Sequence, residues 1–218
     1  MSSGVREALP GVRIHPTALI EPGVSIGEGT TVWDAVHVRG PGTTIGSQCV
    51  LGEKSYVSHG VSIGSRVKIH AMVYICSGVT IESGVMISAG TIFTNDVFPR
   101  ATTPDLRMLL SSDPSGEMQS TFVRQGATIG ARCVIGSDLE VGAFAMVGMG
   151  SVVTRSVPPF ALVVGNPARV VGHACRCGHR IARCSPDEKA DVPNVACEKC
   201  GSPYRVDRGR VVELNPPF

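Results

Sequence analysis

The chain is poor in aromatic residues, which make up 5 % of its 218 residues, and in charge, at 17 %. Such a composition suits a core of small aliphatics. So few charges also fit a well-packed chain better than a disordered one. Positive and negative groups nearly cancel, with a formal charge of +2. Neither a nucleic acid nor an anionic membrane surface is an expected partner at such a balance. No apolar run approaches the roughly 20 residues that span a bilayer. The N-terminal stretch MSSGVREALPGVRIH has no apolar signal core. The expectation is a cytoplasmic protein with no membrane insertion, its eight cysteines reduced or metal-bound rather than in disulfides. No Walker or Rossmann glycine pattern is present either, so phosphates are not held by a loop of those kinds.

What the chain does have is a period of six. An aliphatic residue opens almost every hexad from Ile14: Ile20, Ile26, Val32, Val38, Ile45, Leu51, Val57, Ile63, Ile69, Ile75, Ile81, Ile87, closing at Phe93. The run resumes near Val123 with Ile129, Ile135, Val141, Val147 and Val153. The fifth position is small or β-branched, as at Thr30, Cys49, Ser55, Val61, Val73, Cys133 and Ser151. A fixed short period means a solenoid. Six matches neither the helical period nor simple strand alternation. It suits a short strand plus a corner, three of which close a triangular turn and stack each aliphatic on its equivalent 18 residues on. The hexads make roughly six to seven turns, a stack on the order of 30 Å tall at about 4.8 Å per turn. The line from Val38 to Thr44 carries one extra residue, expected as a bulge at a corner. Allowing for it, His37, Tyr56 and Tyr74 fall in one outward column, His15 with Trp33 in another, and His70 with Ser88 in a third. Such columns face solvent, a site or a neighbouring subunit.

Two stretches break the period. Residues 95–121 contain three prolines and many Ser, Thr and Asp, and read as a long inserted loop. Loops of that length inside a compact repeat usually carry function. After Pro158 and Pro159 stop the ladder, residues 173–218 change character. Cys175-x-Cys177 and Cys197-x-x-Cys200, each followed by Gly, fit a zinc ribbon with four thiolate ligands, and Cys184, His173 and His179 are possible substitutes. A segment this small needs a metal to fold. The division is 1–172 for the repeat domain and 173–218 for the zinc-ribbon-like tail. Cys49 and Cys133 read as core filler.

The hexads, with the segments IHPTALIEPGVSIGEGTTVWDAVHV, SIGSRVKIH, SGVTIESGV, TIFTNDVFPRA, VRQGATIGARCVIG and VGNPARVVG, resemble the hexapeptide-repeat acyltransferases. They resemble most the bacterial nucleotide-sugar N-acetyltransferases, over about residues 13 to 172. The resemblance implies an all-β, left-handed parallel β-helix; crossover rules alone would favour the right hand. It also implies a homotrimer with sites between subunits, acetyl-CoA as cosubstrate beside the Gly165–Arg169 segment, and an inserted loop that walls a neighbour's site. The chain departs from that group at Lys68-Ile69-His70-Ala71-Met72, where KIQ followed by Asn is usual.

The implied reaction sets its own requirements. An unprotonated amine attacks a thioester, so a proton acceptor, an oxyanion donor and groups fixing both substrates are needed. His70 is the candidate base, with a stacking His as the rival reading. Asn95 and Asp96 stand where the ladder opens into the loop, and complete the catalytic candidates. His37, His59 and Arg100 are substrate-binding candidates. Arg124, Arg155, Asn166 and Arg169 are candidates for holding coenzyme A, the arginines through its phosphates. Backbone N–H groups at Ser88 to Gly90 are candidate oxyanion donors. O-acetylation on the same scaffold, or a non-enzymatic trimer displaying its ribbon to a protein, are the alternatives. A three-His metal hydratase is disfavoured, because His37, His59 and His70 occupy different hexad positions.

Overall fold

The computed structural model describes residues 11–110, 120–183 and 192–216. Among them there is no helix, and none therefore long and apolar enough to cross a membrane. Each hexad forms a two- or three-residue strand followed by a corner, and each strand pairs in parallel with its equivalent one coil away. The result is a triangular β-helix with three flanks. Flank one runs from Arg13–Ile14 through Lys68–Ile69 to Met146–Val147, flank two from Leu19–Ile20 through Tyr74–Ile75 to Val152–Val153, and flank three from Ser25–Ile26 to Glu140–Val141.

The second residue of nearly every strand is the hexad aliphatic, and it points inward. Val38, Leu51, Val57, Ile69, Ile75, Ile87 and Phe93 have no exposed surface. Burying these side chains drives the coil, at about 25 cal/mol for each Å² of apolar surface removed from water. The fifth position does more than fit a narrow corner. Where it is Thr or Ser its hydroxyl donates to a nearby corner carbonyl: Thr30 to Gly46 at 2.9 Å, Thr43 to Ser58 at 2.9 Å, Ser55 to His70 at 3.0 Å. These are buried donors satisfied without water.

The extra residue sits at a corner as expected. Leu19 pairs with His37, 18 residues on, while Ser25 pairs with Thr44, 19 residues on, and the added length is taken up around a cis Gly40–Pro41 bond. The inserted loop leaves after Phe93 and re-enters flank three at Thr121–Val123, so that Ile92 of one coil pairs directly with Val134 of the next. Residues 111–119 of that insertion, residues 1–10 and Cys184 lie outside the described residues.

At the far end flank one continues past the repeat. Ala161–Gly165 pairs with Met146–Val147, turns back antiparallel as Ala168–Ala174, and is followed by Arg180–Arg183. The strand Ala168–Ala174 crosses the 172/173 boundary. A separate three-stranded sheet, Val192–Ala196, Pro203–Asp207 and Arg210–Glu213, follows among the described residues of the tail. A second apolar cluster, of Phe160, Cys175, Ile181, Cys197 and Tyr204 with Phe144 packed against it, is separate from the repeat core and joins the tail to the end of the repeat.

Candidate functional site

Three corners join the flanks, and the candidate residues gather on two of them. Corner one, between flanks one and two, stacks the residues that follow each flank-one strand: His15, Trp33, Gly52, His70, Ser88, Gly130 and Gly148. Consecutive rungs are tied by backbone bonds from Trp33 to Leu51, Gly52 to Ile69, and His70 to Ile87, at 2.8 to 2.9 Å. His70 is exposed. With Trp33, Gly52, Glu53, Ala71 and Ala89 it lines an open cleft of about 320 Å³. Gly52 has no room for a side chain: a Cβ there would stand 2.5 Å from the His70 carbonyl carbon.

Above His70 the same corner is nearly bare, since Ser88, Gly130 and Gly148 offer little side chain. It ends at the hairpin made by Ala161–Gly165 and Ala168–Ala174, whose turn holds Asn166, a cis Asn166–Pro167 bond and Arg169. Gly148 N–H donates to Val163 at 2.8 Å, joining hairpin to corner. Asn166 and Arg169 are exposed. From His70 to this turn is four rung spacings, about 19 Å.

Corner two, between flanks two and three, stacks His59, Ser77 and Asn95 at intervals of 18, with Asn95 Nδ2 3.4 Å from Ser77 Oγ. Asp96 and Arg155 stand on the same corner, and both are exposed. The inserted loop leaves from here. Its described part folds into a hairpin closed by Leu110 N–H to Ala101 at 2.9 Å, and it holds Phe98 89 %, Leu106 79 % and Leu109 82 % exposed. Arg100 is exposed at its base.

Flank two separates the two corners and is the apolar one. Leu19, Tyr74 and Ile92 point outward and exposed. The expected column is present: Tyr56 stacks on Tyr74 at 4.7 Å between ring centres, and His37 meets the edge of Tyr56 at 5.4 Å. His37 Nε2 lies 2.8 Å from Glu21 Oε1, with Arg39 beside the same carboxylate. That hydrogen bond holds the Glu21 carboxyl below its ordinary value.

Two candidates differ from expectation. Arg124 lies on corner three, away from the others, and its guanidinium is held by Glu82 at 2.9 Å and Glu140 at 2.5 Å. The Ser88 and Gly90 N–H groups donate to Ile129 and Ala71 at 2.9 and 3.0 Å, so neither is open for an oxyanion. The sequence reading passed over Gly52, Glu53 and the bare groove of corner one. Reading each position after a flank-one strand at intervals of 18 would have lined them up.

In the tail, Cys175, Cys177, Cys197 and Cys200 bring their sulfurs within 4.8 Å of one another. Cys175 to Cys200 is 3.4 Å and Cys177 to Cys197 is 3.6 Å. Four sulfurs around zinc at about 2.3 Å would stand about 3.8 Å apart, so the set fits a tetrahedral thiolate site. Each pair sits on a turn closed by glycine N–H to the first cysteine's carbonyl, Gly178 to Cys175 and Gly201 to Cys197, both at 2.8 Å. Donation from Ser202 holds the Cys200 thiol down to about 6, while burial pushes Cys175 up to about 12. The site is braced by Tyr204 Oη, 3.1 Å from Cys175 Sγ, and by Arg176, paired with both oxygens of Glu213 at 2.6 and 2.7 Å and stacked on Phe144.

Comparison with known proteins identifies the repeat. Residues 42–75 match the bacterial transferase hexapeptide (six repeats), and residues 125–155 the hexapeptide repeat of succinyl-transferase. The chain is 42 % identical over 94 residues to dTDP-3-amino-3,6-dideoxy-α-D-galactopyranose 3-N-acetyltransferase of Aneurinibacillus thermoaerophilus, which covers 43 % of this chain and 45 % of that protein. It is 45 % identical over 58 residues to serine acetyltransferase of Escherichia coli K12, covering 27 % of this chain and 21 % of that one. The chain thus spans less than half of the length of these relatives. Among solved structures, AntD, an N-acyltransferase from Bacillus cereus in complex with dTDP and 3-hydroxybutyryl-CoA, matches with a TM-score of 0.50 and 20 % identity over 77 % of this chain and 82 % of that one. The fold is the left-handed parallel β-helix of the hexapeptide-repeat transferases.

Proposed function

We propose that this protein is an acetyl-CoA-dependent N-acetyltransferase acting on a nucleotide-linked amino sugar, at a site shared between the subunits of a cytoplasmic homotrimer. The observation that carries the reading is the groove along corner one. It runs from the exposed Asn166 and Arg169 turn, past Ser88, Gly130 and Gly148, to His70. The turn supplies an amide and a cation for the coenzyme's phosphates, and the bare rungs leave space for an extended thioester arm. His70 stands where the thioester would end. The amine attacks the carbonyl carbon, the C–N bond forms, His70 accepts the amine proton, and the C–S bond breaks to release coenzyme A.

The trimer is supported by flank two. Packing this apolar face around a threefold axis brings corner one of each subunit against corner two of the next. His70 and Arg169 of one subunit then meet His59, Asn95, Asp96 and Arg155 of another, and the exposed apolar residues of the loop find a neighbour. The relatives named above support the acetyl donor and the amino-sugar acceptor. In the tail, the four cysteines would hold a structural zinc ion, which supplies cross-linking rather than chemistry.

A hydroxyl acceptor is the second reading, favoured by the serine acetyltransferase match, since serine carries both amine and hydroxyl. The test is coenzyme A release from acetyl-CoA with a panel of amino sugars, free and nucleotide-linked, beside their hydroxyl analogues. Turnover confined to amines supports the proposal, and turnover confined to hydroxyls replaces it with the second reading. No turnover together with no acetyl-CoA binding by calorimetry leaves a scaffold that displays its ribbon.

A further inference from the structure

Corner one has a second half, below His70, that the donor groove does not use. Trp33 is the only tryptophan of the chain, and half of its surface is exposed. Two rungs above stands His70, and the rung between is Gly52, where the backbone of His70 excludes any side chain. The Trp33 and His70 backbones are therefore two strand spacings apart, about 10 Å, and the rung residue between them carries no side chain. Two van der Waals contacts of about 4 Å take up most of that gap, which leaves the thickness of one ring. Glu53, next to Gly52, lines the same cleft, and its exposed side chain offers a carboxylate at the mouth.

We propose that this slot takes the pyranose of the acceptor, with the sugar's C–H face on the Trp33 indole, its hydroxyl groups on Glu53, and its amine toward His70. An aromatic plate, an acidic hydrogen-bond acceptor and a proton acceptor on successive rungs meet the needs of an amino sugar, which is apolar on one face and polar at its rim. The inference rests on the proposed acetyl transfer and adds its acceptor subsite: donor above His70, acceptor below, meeting at one imidazole.

The chain's single tryptophan makes the test direct. The fluorescence of Trp33 is followed while the protein is titrated with dTDP-3-amino-3,6-dideoxy-α-D-galactopyranose, with UDP-linked amino sugars, and with dTDP and UDP alone. A saturable change with an amino-sugar nucleotide, absent with the bare diphosphates, is the expected result. A full change with the diphosphate alone would give the slot to the base, and no change with any compound would leave it without a ligand; either overturns the proposal. With turnover in hand, Trp33→Ala is expected to raise the acceptor KM roughly tenfold or more, with the acetyl-CoA KM unchanged and Trp33→Phe largely restoring it. An unchanged acceptor KM in Trp33→Ala also overturns the slot while leaving acetyl transfer standing. The titration needs no turnover, so it decides the slot even if coenzyme A is never released.

Discussion

Single residues in this fold act through the rung above and the rung below. Ser55 shows how. Its hydroxyl donates to the His70 carbonyl and accepts the Val73 N–H at 3.2 Å, so it pins the corner that carries the candidate base. Ser55→Ala leaves both groups unpaired in a dry corner and is expected to cost about 1–3 kcal/mol. Ser55→Thr is expected to be tolerated, because Thr30, Thr43 and Thr91 do the same work elsewhere. Thermal unfolding of the two variants checks this; equal melting temperatures would show that the bond contributes nothing. For His70 the expected result is sharper. If it takes the proton, His70→Ala lowers kcat about 10²- to 10⁴-fold with the acetyl-CoA KM nearly unchanged. A changed acceptor KM with an intact kcat would make it a wall of the slot and not the base.

At the scale of elements, the Glu82–Arg124–Glu140 ladder matters most. Glu82 belongs to the coil before the inserted loop, Arg124 follows the strand that re-enters after it, and Glu140 belongs to the next coil. Glu82 also accepts the Gln125 N–H at 2.8 Å. The ladder thus fastens the chain where the repeat resumes. Donation from Arg124 holds the Glu82 carboxyl below its ordinary 4.5. A carboxyl depressed in the folded state stabilises above its unfolded value, and that contribution is lost as the pH falls through its folded value. Stability is therefore expected to fall below about pH 4.5, and Arg124→Gln to flatten that acid limb while costing no more than about 1 kcal/mol at neutral pH. The same variant separates two roles. A raised acetyl-CoA KM would show that Arg124 exchanges its carboxylates for a phosphate after all, whereas an unchanged KM keeps it a fastener.

For the whole molecule, two surfaces decide behaviour. Flank two is expected to be the trimer face, so Ile92→Glu should yield a monomer by light scattering and abolish activity together with the trimer. A fully active monomer would sink the shared site. The tail is the second case. The cluster around Tyr204 is separate from the repeat core but includes Phe160 of the repeat domain, and flank one runs into the tail through Ala168–Ala174. Removing metal with a chelator is expected to raise hydrogen exchange in Pro203–Asp207 and Arg210–Glu213 and to leave Lys68–Ile69 and Met86–Ile87 protected. Loss of protection throughout the coils would mean that the division near residue 172 does not describe two units.

The chain by itself determined most of the architecture, because a hexad is a local rule. One aliphatic every six residues can be buried only by a coil of three short strands, so the flanks, the column of His37, Tyr56 and Tyr74, and the corner position of the extra residue were all legible. The four cysteines were legible for a similar reason, since two close pairs on glycine turns have few other uses. What only the tertiary structure decided is how rungs meet. That Arg124 is held by two carboxylates depends on partners 42 and 16 residues away, brought into line by a loop whose path the period does not describe. That Gly52 opens a slot between Trp33 and His70, and that the Gly165–Arg169 turn closes the same corner, follows from stacking at about 4.8 Å. A period specifies which residues share a column; the bonds and gaps between columns and loops belong to three dimensions.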